Sequence, residues 1–163
     1  RLAQPLDELA EPVLHFSRNL GVAFQILNDL KDWRGDQDNK MSAGGDILGG
    51  RPTILWALAL EALDPTEREQ LEGLVADESQ PTETRIGEVR RLYHQAGVFD
   101  KACRLVEKHR KRAEEIAQSV EPDALRRLFQ YLIDTVIDTP EEIPLGGVKG
   151  TEPSSAGDNS PQA

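Results

Sequence analysis

Almost everything in this chain up to Asp138 reads as helix, its apolar residues recurring at three- and four-residue spacing. No segment alternates apolar and polar residues in the two-residue rhythm of a strand bounded by hairpin turns. That regularity confines the chain to an all-α fold of about six helices. Phe16, Leu20, Ala23, Phe24, Leu27 and Leu30 mark one face of the first helix, and Pro12 either opens that helix or kinks it. Gly35 ends it, and 34–52 reads as a loop with five glycines. Residues 53–63 form a helix apolar nearly all round, which places it centrally. Asp64-Pro65-Thr66-Glu67 is a capped start for a short helix, and further helices cover 85–95, 98–120 and 124–137, with breaks at Gly97 and Pro122.

The chain divides by composition into a helical domain, 1–137, and a tail, 138–163. The tail holds 8 of the 23 proline and glycine residues and almost no large apolar side chain, so it is expected to be disordered. The opening residues already sit in a helical pattern without an initiator Met or a leader, which suggests a piece of something longer. No apolar stretch reaches the roughly 20 residues needed to span a bilayer. The 163 residues carry 19 Lys and Arg against 29 Asp and Glu, a net charge of −10 that opposes nucleic acid unless cations gather locally. They do gather at 101–112, with six bases against one acid, but a solvated helix face is the plainer reading. The single cysteine, Cys103, excludes an internal disulfide and favours a reducing, cytoplasmic setting. His15, His94 and His109 are scattered and read as structural.

Chemistry concentrates in 20–33. At about 100° per residue, Gln25, Asn28, Asp29 and Asp32 fall within an arc of roughly 100°. Two carboxylates one turn apart, with two amides, offer the oxygen donors that Mg²⁺ takes alongside water and substrate phosphates. The plainer alternative is a helix end with acids facing water. Lys40 and Arg51 bracket a glycine-rich segment able to bring two cations toward that face, which together would describe a diphosphate site. Two other motifs fail. Gly45 to Thr53 approaches a P-loop but has Gly50-Arg51-Pro52 where Gly-Lys-Ser/Thr is required. Asp36 to Lys40 opens like a calcium loop but places Lys40 at its fifth position.

Gly21-Val-Ala-Phe-Gln-Ile-Leu-Asn-Asp-Leu-Lys-Asp32, then Lys40, then Gly45-Asp-Ile-Leu-Gly-Gly-Arg-Pro-Thr53, resembles the trans-prenyltransferases, also called polyprenyl synthetases or isoprenyl diphosphate synthases. In that family a Phe-Gln pair precedes the second aspartate-rich motif, Asp-Asp-x-x-Asp. A Lys follows, then an Asp-Leu-x-x-Gly-Lys-x-Thr stretch. The specific likeness covers about residues 15–60.

The resemblance implies an antiparallel helical bundle of the isoprenoid (terpenoid) synthase type, incomplete at its amino end. The reaction implied is Mg²⁺-dependent condensation of isopentenyl diphosphate with an allylic diphosphate, carried out by a homodimer. It assigns Asn28, Asp29 and Asp32 to the metal, Gln25, Asp29 and Asp32 to catalysis, and Lys40 and Arg51 to the substrate diphosphate. Asn28 departs from the motif, which has Asp there, and so removes one negative charge. The first aspartate-rich helix would have to lie before Arg1. Two alternatives stay open: a non-catalytic subunit that tunes a partner synthase, and the head-to-head squalene and phytoene synthases, whose second motif often reads Asn-x-x-x-Asp.

Overall fold

A computed structural model describes residues 6–33 and 44–137. The expected tail, Gly35 and Lys40 lie outside the described residues. The described part is entirely helical, with α1 (Leu6–Asp32), α2 (Gly45–Leu48), α3 (Ile54–Ala62), α4 (Pro65–Ala76), α5 (Thr82–Gln95), α6 (Val98–Ser119) and α7 (Asp123–Val136). Seven helices replace the expected six, because one turn of helix, α2, forms inside the segment read as loop.

The first helix takes in the helical pattern of the opening residues. It begins at Leu6 and carries Pro12 within it, so Pro12 neither opens nor ends the element. The face it buries is also shifted. Phe16, Ala23, Ile26, Leu27 and Leu30 are buried, whereas Phe24 is 44% exposed. Alpha-helical register places Phe24 about 100° from Gln25, toward the solvent side.

The core forms where α1 lies along α6, with α3 and α7 on either side. Alanines make that close approach possible. Ala23 of α1 and Ala102 and Ala113 of α6 are fully buried, and short side chains let two helix backbones draw together. At the other end, Phe16 stacks on Phe129 of α7 with ring centroids 3.8 Å apart and planes 7° from parallel. The α3 helix is central on one side only: Leu55, Leu58 and Ala59 are buried, while Ala57 faces solvent.

Capping fixes the turns. Asp64 accepts from the Glu67 backbone N–H at 2.9 Å, as the sequence predicts, and the Glu67 carboxylate accepts from the Asp64 N–H at 3.1 Å, which completes a reciprocal capping box. The carbonyls closing α4 are met from α5. Buried Arg85 donates to Leu74 O at 2.7 Å and to Val75 O at 2.5 Å, so its charge sits at the negative end of that helix.

The return of the chain to the end of α1 depends on Gly44. Its φ of +78° is costly for any residue with a Cβ, and a Cβ there would stand 3.2 Å from the Trp33 ring. Gly44→Ala is therefore expected to destabilise the fold by about 1–2 kcal/mol. Gly87, on the exposed side of α5 with open space around it, should behave oppositely, with Gly87→Ala gaining about 0.5–1 kcal/mol. Urea unfolding followed by circular dichroism measures both.

Candidate functional site

The candidate site is the carboxy-terminal end of α1 and the segment that folds back over it. Two acids in the last turns of a helix oppose its dipole, so they need partners. Asp29 finds them inside the fold. It is 5% exposed; its Oδ1 accepts from Gln25 Nε2 at 2.9 Å, and its Oδ2 accepts from the backbone N–H of Ile54 at 2.8 Å. Ile54 opens α3, whose preceding residue Thr53 accepts from the Trp56 N–H at 3.2 Å. Asp29 and Thr53 thus satisfy two donors at one helix start, and the carboxylate charge faces the positive end of α3.

This changes the reading of the acidic arc. The four residues do not form one open surface: Asp29 turns toward α3, whereas Gln25 is exposed and Asn28 and Asp32 are half-buried. The open face of α1 instead carries Asn28 and Asp32 in its last two turns. Asp32 has a new neighbour in Asp46 of α2. Burial raises the Asp32 pKa, and the charges of Asp46 and Asp29 raise it further, while the backbone N–H groups of Asp46 and Gly44 pull it down. Asp46 in turn pairs with exposed Arg51 at 2.8 Å. Arg51 also lines a shallow hollow of about 180 Å³ with Ile47, Pro52 and Trp56.

Beneath the site an aromatic cluster sets the floor. Trp33 packs against Tyr93 and Phe99, with centroids 5.0 and 6.0 Å away. Arg90 donates to Trp33 O at 3.0 Å and lies 5.8 Å from its ring centroid, placing a cation at the end of α1. The Tyr93 hydroxyl is buried without a hydrogen bond of good geometry, although Thr53 lies near it. Burial and the Asp29 charge push its pKa far up, so it stays protonated.

Along the same open side of α1, Leu14, Gly21 and Phe24 precede Gln25, Asn28 and Asp32 within about 100° of arc. Leu14 is 66% exposed. Apart from exposed Ser17, the face is apolar for several turns and oxygen-bearing at its end. Among the described residues no three His, Cys, Asp or Glu side chains form a metal-binding group. Asn28, Asp32 and Asp46 supply one amide and two carboxylates, a donor set that suits Mg²⁺ sharing its sphere with water and phosphate.

The family model for polyprenyl synthetase matches residues 2–94. The chain belongs to the polyprenyl synthetase family. It is 24% identical over 134 residues to an all-trans-nonaprenyl-diphosphate synthase (geranyl-diphosphate specific) of Rhodobacter capsulatus, covering 79% of this chain and 40% of that protein. It is 25% identical over 124 residues to a short chain isoprenyl diphosphate synthase of Methanothermobacter thermautotrophicus, covering 76% of this chain and 37% of that one. Its fold matches a geranylgeranyl pyrophosphate synthase from Corynebacterium glutamicum, complexed with isoprenyl diphosphate and magnesium. The TM-score is 0.65 at 23% identity, over 78% of this chain and 37% of the other. This polyprenyl synthetase chain therefore spans about 40% of the length of the curated relatives it matches.

Asp46 was within the motif that carries the resemblance, but spacing gives no hint that it meets Asp32. Tyr93 left no signal in the sequence at all, because an aromatic at helical spacing reads as core.

Two stability measurements follow. Asp29→Ala strips the Ile54 N–H of its buried acceptor and should cost about 1–3 kcal/mol, with Asp29→Asn costing less because one acceptor oxygen remains. For Asp32 the raised pKa means that the folded state binds its proton more tightly than the unfolded state does. Its ionisation therefore costs stability as pH rises from about 3.9 through the raised value. Asp32→Asn should raise the Tm at neutral pH, with the gain vanishing below about pH 3.9.

Proposed function

We propose that this polyprenyl synthetase chain supplies the second aspartate-rich helix of a Mg²⁺-dependent prenyltransferase that condenses isopentenyl diphosphate with an allylic diphosphate. The observation that carries the reading is the open side of α1, apolar at Leu14, Gly21 and Phe24 and oxygen-bearing at Gln25, Asn28 and Asp32. A prenyl diphosphate has the matching polarity, a hydrocarbon tail with an anionic head. Magnesium, when bound, would offset the charge that develops on the departing diphosphate.

The chain's own residues then divide the work. Asn28 and Asp32, with Asp46 beside them, would hold the metal through oxygen. Asp29, a metal candidate by sequence, acts here first as the strut that fixes α1 against α3. Gln25 holds the Asp29 carboxylate and stands exposed beside Phe24, where the reacting chain would lie. Arg51 would exchange its pairing with Asp46 for the substrate diphosphate, and Lys40 would contribute a second cation. Leu14, Phe24 and the prenyl tail would exclude water from the allylic cation. No Asp-Asp-x-x-Asp stretch occurs in the 163 residues, so the partner aspartate-rich helix would come from outside them.

A second reading has its own support. Asn28 contributes a neutral oxygen, and both Asp29 oxygens are engaged within the fold. Those features suit a non-catalytic subunit that binds a partner synthase. Condensation of labelled isopentenyl diphosphate with an allylic diphosphate, titrated with Mg²⁺, separates the two. For the enzyme, Asp32→Asn should raise the Mg²⁺ concentration needed. Arg51→Ala should raise KM about 10- to 100-fold, the effect of losing a charge-assisted hydrogen bond. An intact parent protein that gives no Mg²⁺-dependent product sinks the enzyme reading. The homodimer that the resemblance implies is checked by sizing the same preparation.

A further inference from the structure

On α6, Lys101, Arg104, Lys108 and Lys111 fall within about 80° of arc and run for about 15 Å along the helix. Arg104, Lys108 and Lys111 are exposed and Lys101 is half-buried. Among the described residues no ion pair joins any of the four to an acid. Arg51, Arg91, Arg110, Arg126 and Arg127, by contrast, each have a carboxylate partner. In a chain of net charge −10, four cations on one helix face without an ion pair are a local reversal of charge, the nearest acids along α6 being Asp100, Glu107 and Glu115.

The row also has an apolar floor. Leu58 of α3 and Leu105 of α6 lie at the bottom of an open trough of about 270 Å³, with Lys101, Arg104 and Lys108 around it. Since α6 covers the buried side of α1, this row points away from the face that carries Asn28 and Asp32.

We propose that the α6 row is a peripheral docking surface for an anionic phospholipid bilayer. Four cations one turn apart match an array of headgroup phosphates, and their extent is too great for one phosphate. Lysine stems and the two leucines supply the apolar contact that an interface rewards. Nucleic acid also presents arrayed phosphates, but this face offers no aromatic side chain on which a base could stack. The surface is independent of the reading of α1.

The test is co-sedimentation of the full chain with vesicles of phosphatidylcholine alone, or with one part in three of phosphatidylglycerol. Binding is expected only to the anionic vesicles and should weaken as salt rises. The doubly substituted Lys101→Gln, Lys108→Gln chain should bind about 25-fold more weakly, each lysine near such a surface counting for about fivefold. Arg127→Gln, on α7, should bind like the unaltered chain, and circular dichroism should be unchanged in both variants. Four results would overturn the proposal: equal binding to neutral vesicles, no binding to either, a double variant that binds normally, or displacement by inorganic phosphate at matched phosphate concentration. A fifth is salt-dependent binding to an oligonucleotide, lost in the double variant, without binding to vesicles.

Discussion

The hydrogen bond from the Ile54 N–H to Asp29 joins residues 25 apart in sequence and fixes how the end of α1 meets the start of α3. Everything at the candidate site hangs from that junction. It sets where α2 can lie, because the chain between α1 and α3 must close within the distance the junction allows. That in turn sets Asp46 beside Asp32 and Arg51 beside Asp46. A buried carboxylate is tolerable here because a helix start faces it and an amide holds its other oxygen. The motif acid is therefore a structural strut.

The second constraint is the contact of α1 with α6. Buried alanines on both helices bring the backbones close, Trp33 packs on Phe99 of α6 at one end of α1, and Phe16 stacks on Phe129 of α7 toward the other. With one side of α1 committed to this packing, its other side is left for Leu14, Phe24, Asn28 and Asp32. The exposed apolar groups of α1 are then part of a polarity gradient that ends in oxygen donors. The same packing leaves the cationic row of α6 on a different side of the molecule from the acids of α1. The net charge of −10 hides this separation.

Much of the local structure was legible in the residues. The helical class follows from three- and four-residue spacing, and the α4 cap follows from Asp64, Pro65 and Glu67, since both depend on neighbours within one turn. The family was legible too, through Gly21 to Asp32 and Gly45 to Thr53, and the match over residues 2–94 bears that out. The limits of α1 were not. Leu6, Leu9, Ala10, Val13 and Leu14 already keep helical spacing, but Pro12 among them leaves the start of the helix open, and the structure carries the helix through it. The single turn of α2 was read as loop because glycines at 44, 45, 49 and 50 argue for irregular backbone. Gly44 uses that freedom to enter the turn, where the Trp33 ring leaves no room for a Cβ.

The sequence by itself determined which side chains are candidates for the chemistry, because residue type and helical spacing are local properties. It placed Gln25, Asn28, Asp29 and Asp32 on one part of one helix and marked Arg51 as a nearby cation. Only the tertiary structure decided what each of them does with its oxygens and charge. A 100° rotation per residue cannot say that α3 will present a free N–H to Asp29, or that a glycine turn will bring Asp46 against Asp32. Those pairings join residues brought together by the packing of α1, α2 and α3, and the energy of a buried charge depends on what has been brought to meet it.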